Sequence, residues 1–193
     1  PEYEIVKDIY DKGTYGKLLS GSMRRLGLRP KWSWDDWMMD EKRSGLVPFD
    51  LHIHDLDFIV YAFGKPNKVT DFRAKRPEQD YINAVYQYDD FFLTTEASWY
   101  DAPYPFAADF RFQFEKAVVA WEKGEMKIYE TDGKIWCPIS NGSENDTGDI
   151  GLPASDAYAN EINYFTDCVI NDTCPDRVKP NELETVIDIL NNL

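Results

Sequence analysis

Along the first two thirds of the chain the apolar residues change their period twice. Residues 2–12 place Ile5 with Ile9 and Val6 with Tyr10 at helical spacing, and Gly13 supplies a stop. Gly16 to Leu28 reads as a strand closed by Arg29-Pro30. Residues 31–45, "KWSWDDWMMDEKRSG", read as a Trp-rich loop with a short helix starting near Ser33. From 67 to 139 the pattern turns to short β-branched and aromatic runs: 68–75, 81–88, 91–100, 110–115, 117–122, 125–130 and 134–139. Asp89-Asp90 and Asp132-Gly133 read as hairpin turns, the second of type I′. Such short spacers imply antiparallel neighbours, because a parallel pair needs a crossover. Residues 140–154 are a polar loop. Two helices follow, one with the stripe Tyr158, Ile162, Phe165 and Val169, the other with Leu183, Val186, Ile187 and Leu190. The predicted class is α+β: a large, open, mostly antiparallel sheet with helices packed on one face.

Between these regions lies "GLVPFDLHIHDLDF" (45–58), which holds both histidines of the chain. As a strand it would set Asp50, His52 and His54 on one face, an H-x-H pair suited to a metal, though zinc or iron needs three or four ligands. As a helix it would start at Pro48, whose missing N–H costs nothing in a first turn, and stop at Gly64 before Lys65-Pro66. About 16 residues is long for a strand and ordinary for a helix. At about 100° per residue, Asp50, His54, Asp57 and Tyr61 then form one narrow polar stripe on an otherwise apolar helix, with His52 turned away toward Asp55. Buried polar groups are costly unless partnered. Such a stripe is either a hydrogen-bond network that fixes helix packing or an acid/base pair. In the second case Asp50 fixes the tautomer of His54, and the free ring nitrogen takes a proton from a substrate hydroxyl.

The totals narrow the class. A formal charge of −14 argues against a nucleic-acid groove or an anionic membrane surface. The apolar fraction of 43% and the 29 aromatic residues can fill a sizeable core. No apolar run approaches the roughly 20 residues of a membrane helix, and no signal peptide is visible. Cys137, Cys168 and Cys174 read as reduced thiols of a cytoplasmic protein, with a Cys168–Cys174 bridge the lesser alternative. The glycosylation-like triplets at Asn141, Asn145 and Asn171 read as chance matches without a secretory signal. The chain starts at Pro1 and enters a helix at once, as if a further segment preceded it.

Residues 44–66, "SGLVPFDLHIHDLDFIVYAFGKP", resemble the signature helix of the Gfo/Idh/MocA oxidoreductases, roughly G-G-x-x-x-D-x-x-x-H-x-x-D followed by an apolar run and G-x-P. Ser44 and Gly45 stand at its glycines, and Asp50, His54 and Asp57 at its polar positions. Residues 1–18 resemble the family's helix and turn after the cofactor domain, 94–100 its strand ending in Ser-Trp, and 155–175 its penultimate helix. The resemblance implies that residues 1–193 are a C-terminal substrate-binding and oligomerisation domain, and that an N-terminal Rossmann domain, absent here, binds NAD or NADP. Gly13-x-x-Gly16 is no dinucleotide loop, since it follows a helix and lacks the third glycine; the family's Glu-Lys-Pro motif is missing. The implied activity is hydride transfer between a CH–OH group of a sugar, polyol or related alcohol and nicotinamide. His54 is the implied base and Asp50 its partner, Arg25, Trp32, Trp37 and Asp57 are candidates for substrate contact, and no metal is implied. The fragment alone is expected to be inactive and to self-associate through its sheet. Two other classes stay open: a carbohydrate-binding or scaffolding module without chemistry, and a small metal-dependent hydrolase using His52 and His54.

Overall fold

The computed structural model describes residues 1–139, 157–177 and 179–193. The chain runs α1 (Glu2–Lys12), β1 (Leu18–Leu28), a 3-10 segment (Trp34–Met39), α2 (Glu41–Ser44), a π turn (Pro48–His52) continuous with α3 (Ile53–Phe63), then β2 (Lys68–Arg76), β3 (Gln79–Gln87), β4 (Phe92–Tyr100), β5 (Ala107–Phe114), β6 (Ala117–Glu122), β7 (Glu125–Glu130) and β8 (Ile135–Trp136), and closes with α4 (Ala157–Ile170) and α5 (Pro180–Leu190). One eight-stranded sheet has the order β2-β3-β4-β1-β5-β6-β7-β8. Every pairing is antiparallel except β1 with β4. The helical excursion and the β2–β3 hairpin form the crossover that a parallel pair requires.

Cross-strand partners share a face, so the register sorts the side chains. One face carries Met23, Tyr86, Leu93, Phe110, Phe112, Val119 and Ile128, all buried with Val6 and Ile9 of α1, Leu56 and Ile59 of α3, and Val186 and Leu190 of α5. Aromatic contacts tie the two layers. Tyr3 meets Phe58 at 4.8 Å and Phe110 at 5.2 Å, and Phe63 meets Tyr10 at 4.8 Å and Phe112 at 5.7 Å between ring centroids. The other face is open. It exposes Phe72, Phe92 and Tyr129 around a polar depression of about 280 Å³ lined by residues including Arg24, Asn83, Thr94, Glu96 and Arg111.

The sheet and both C-terminal helices match the predicted pattern, with local differences. The last strand is two residues, not six. The Asp132-Gly133 turn is not type I′: only Gly133 has positive φ, in a three-residue loop where Gly133 N–H donates to Glu130 C=O. The two-residue turn with both central φ values positive is Lys123-Gly124, between β6 and β7. The stripe Tyr158, Ile162, Phe165, Val169 of α4 is largely exposed rather than packed on the core. Cys137, Cys168 and Cys174 are all unpaired. The predicted loop 140–154, with Asn141 and Asn145, lies outside the described residues. Among the described residues no helix is long and apolar enough to cross a membrane.

Candidate active site

The helical reading of residues 48–63 holds, with one change. Its first turn is π-helical, so a 100° step applies only from Ile53 onward. The segment is set up by its approach. Gly45 ends α2 in the left-handed region (φ 74), and a Cβ there would lie 2.5 Å from the Phe49 ring. Leu46 follows with φ 59, a sparsely populated conformation for a side chain of its kind. Ser44 Oγ secures the bend by donating to Met38 C=O at 2.7 Å and accepting from Leu46 N–H at 2.9 Å. Val47 N–H donates to Asp80 Oδ2 at 3.1 Å, while Arg73 grips Asp80 with two bonds of 2.9 and 2.8 Å. A buried carboxylate at a helix N-terminus complements its dipole, and the fork of Arg73 compensates its charge.

The two histidines part company on this helix. His52 is fully buried and its Nε2 bonds the Tyr86 hydroxyl at 2.5 Å. It does not lean on Asp55, as the helical wheel predicted. Burial pushes its pKa down to about 4, so the ring is neutral at ordinary pH. His54 is exposed, on the side away from the core. The H-x-H metal pair is thereby excluded: one imidazole is committed to Tyr86 inside the protein and the other faces out. Among the described residues no group of three or more His, Cys, Asp or Glu could hold a metal.

Asp50 is half-buried, and His54 and Asp57 are exposed, so the predicted polar stripe opens to solvent. Tyr61 continues it, with Lys7 Nζ 5.1 Å above its ring. Burial lifts the pKa of Asp50. Partial desolvation by its neighbours and, second to it, the charge of Arg25 lower that of His54. Burial and then Glu182 of α5 raise that of Asp57. Carboxylates pushed up and an imidazole pushed down lie on one stripe, which makes it the candidate site. Among the described residues Asp50 and His54, one turn apart, are not hydrogen-bonded to each other; such bonds often tighten only when substrate is bound.

The remaining expected residues separate. Trp32 is 70% exposed, and Trp34, a neighbour in the same loop, 82%. Trp37 packs on a second apolar cluster with Met38, Leu46, Val47 and Trp99. Arg25 points from β1 into the helix layer, where it donates to Asp55 Oδ1 at 2.8 Å and to the Tyr3 hydroxyl at 3.2 Å. Sequence reasoning missed this pair, although Asp55 lies among apolar neighbours on the packed side of its helix. An acid there needs a cation, and period two sends one arginine of Arg24-Arg25 to that side.

The Gly13–Gly16 turn is no phosphate cradle: Gly13 caps the C-terminus of α1, its N–H donating to Tyr10 C=O at 3.1 Å. That turn therefore does not fit the phosphates of a dinucleotide.

Comparison with known proteins agrees with this fold. A sequence model described as the GFO/IDH/MocA C-terminal domain matches residues 3–134. No curated protein matches the chain by sequence. Among solved structures, UDP-N-acetylglucosamine 3-dehydrogenase from Acidithiobacillus ferrooxidans superposes with a TM-score of 0.71 at 17% identity, over 100% of this chain and 58% of that one. Levoglucosan dehydrogenase in complex with NADH and levoglucosan gives 0.71 at 13% identity, over 96% and 59%. An oxidoreductase from Agrobacterium radiobacter, solved with NAD+, L-tartaric acid and magnesium, gives 0.70 at 14% identity, over 96% and 56%. These likenesses show the fold, and this chain spans well under two thirds of each of those proteins.

Proposed function

Because the chain belongs to the GFO/IDH/MocA oxidoreductase family, as its C-terminal domain, we propose that it is the substrate-binding, histidine-bearing half of an NAD- or NADP-dependent dehydrogenase acting on a CH–OH group of a sugar, polyol or related alcohol. The observation that carries the reading is the split between the histidines: His52 is locked to Tyr86, while His54 faces out beside Asp50. An N-terminal Rossmann domain in the complete protein would cover this stripe and hold the cofactor.

In that complex the substrate lies over the stripe. His54 Nε2 or Nδ1 accepts the hydroxyl proton, and Asp50 orients the ring and stabilises its charged form. The nicotinamide, when bound by its own domain, takes the hydride from the same carbon. The lowered pKa of His54 keeps a proton-accepting ring available near neutral pH. Asp57 supports the stripe, and the exposed Trp32 suits the C–H face of a sugar ring, whereas Trp37 is half-buried against its apolar cluster. A cytoplasmic setting agrees with three unpaired thiols, and the open sheet face with its exposed aromatic residues is the expected surface for a second copy.

The test is a panel of sugars and polyols offered to the full-length protein with NAD+ and NADP+, read by nicotinamide absorbance, alongside calorimetry of residues 1–193 alone. Turnover of an alcohol by the whole protein, with no NADH binding by the piece, is the expected result. Micromolar NADH affinity in residues 1–193 contradicts the division of labour. Sugar binding by the full-length protein without turnover favours instead a carbohydrate-binding module, a reading that exposed Trp32 and Trp34 would also serve.

A further inference from the structure

Helix α4 carries its apolar stripe on the outside. Tyr158, Ile162, Phe165 and Val169 are 61 to 69% exposed. Their spacing keeps them within a sector of about 60° and spreads them along about 16 Å of helix. Among the described side chains of α4, Cys168 alone is buried and Tyr164 is half-buried. Those two residues share a face turned about 110° from the stripe. An amphipathic surface helix ordinarily turns such a stripe to its own core. Here Tyr164 and Cys168 make the attachment instead. The stripe that is left over, on the order of several hundred Å² of apolar surface, is of the size that marks an interaction site.

The attachment fixes where α4 lies. The Tyr164 hydroxyl donates to Asp176 Oδ1 at 2.8 Å and accepts from the backbone N–H groups of Asp176 at 2.7 Å and Arg177 at 3.1 Å. The Arg177 guanidinium stands 5.0 Å over the Tyr164 ring and pairs with Glu4 of α1 at 2.8 Å. The helix is therefore fastened to the first turn of α1, on the helix side of the sheet. A groove of about 610 Å³ continues from there, lined by residues including Pro1, Glu4, Asp176, Arg177 and Tyr61. Tyr61 belongs to the polar stripe of α3 that carries His54. Pro1, the groove and the candidate site thus follow one another beside α4.

We propose that α4 is a docking helix for the N-terminal domain of the same polypeptide, its stripe packing on an apolar patch of that domain. The proposal rests on the reading of this chain as one half of a two-domain dehydrogenase. It deepens that reading by assigning the surface that holds the halves together beside the site. Three observations favour this occupant. Each of the solved relatives carries more than a third of its length beyond this fold, and a segment joined to Pro1 reaches α4 without crossing the molecule. The open sheet face, where Phe72, Phe92 and Tyr129 are exposed, lies on the opposite side, so two copies paired there leave the stripe uncovered. Residues 140–156, which lead into α4, offer Ile150 and Leu152 as their only large apolar side chains, too little to cover four.

Photo-crosslinking in the full-length protein reads the contact directly. Ile162→p-benzoylphenylalanine alters an exposed position and leaves the core of this domain untouched. On irradiation the label is expected to join a peptide N-terminal to Pro1 in the same chain, identified by mass spectrometry, with no dimer band on a denaturing gel. A crosslink to a second copy, to residues 1–193 of its own chain, or to nothing overturns the proposal. If that variant does not fold, Phe165→p-benzoylphenylalanine, which replaces one aromatic ring with another, decides the matter. Titration of the same full-length protein with NADH separates this proposal from the reading beneath it. The N-terminal crosslink without NADH binding keeps the docking surface and sinks the dehydrogenase reading. NADH binding without that crosslink keeps the dehydrogenase reading and sinks the docking surface.

Discussion

The two histidines are separated by a single residue and meet opposite fates. His52 sits where the helix turns inward, and its cost of burial is offset by the Tyr86 hydroxyl. His54 sits where the helix turns outward. Since His52 has a pKa of about 4 when folded against about 6.5 when unfolded, its neutral form stabilises the fold above about pH 6.5. That contribution is lost as pH falls through this window toward about 4, and amounts to about 3 kcal/mol. Asp50, Asp55 and Asp57, whose pKa values are raised, act with the opposite sign in the acid range. Replacement isolates the histidine: in denaturant unfolding, His52→Gln should lose less stability than the wild type between neutral and mildly acid pH. Equal losses in the two proteins would refute the assignment. At this scale the sequence was legible where polarity broke an apolar pattern, as at Asp50, His54 and Asp57. It was not legible for His52, whose partner Tyr86 is 34 residues away on another strand.

At the scale of elements, the helix carrying the stripe depends on how the chain enters it. Gly45, Leu46 and the π turn place the polar stripe, and Asp80 anchors the start. Gly45→Ala would add a Cβ 2.5 Å from the Phe49 ring in a left-handed backbone. The expected loss is about 2–4 kcal/mol of stability, from left-handed strain plus overpacking. A change within a few tenths of a kcal/mol in chemical denaturation would show that the bend has another origin. Helical periodicity, Pro48 and Gly64 made the element legible. The π turn was not, because it is one extra residue absorbed by tertiary contacts rather than a local preference. The type I′ expectation falls on the wrong hairpin for a related reason: Asp-Gly is the stronger local signal, yet it is the two-residue turn Lys123-Gly124, between β6 and β7, that has positive φ at both positions.

For the molecule as a whole, period-two runs joined by short turns sufficed to specify an open, mostly antiparallel sheet with its helices on one side. They could not specify that β1 lies at the centre beside β4 in parallel, since that pairing is made by chain segments far apart in sequence. The uncovered sheet face, with Phe72, Phe92 and Tyr129 exposed, should bury itself against a second copy; sedimentation of a monomer throughout the micromolar range would count against this. The covered face carries the proposal that the outward histidine completes a site whose nucleotide belongs to another domain. Its most direct measurement is the kinetics of His54→Asn in the full-length enzyme, with NADH affinity measured in parallel. The expected kcat is lower by about 10²–10⁴-fold, the usual worth of a general base, with cofactor affinity unchanged. A kcat within about twofold of the wild type, or a loss traced wholly to weaker cofactor binding, would contradict it.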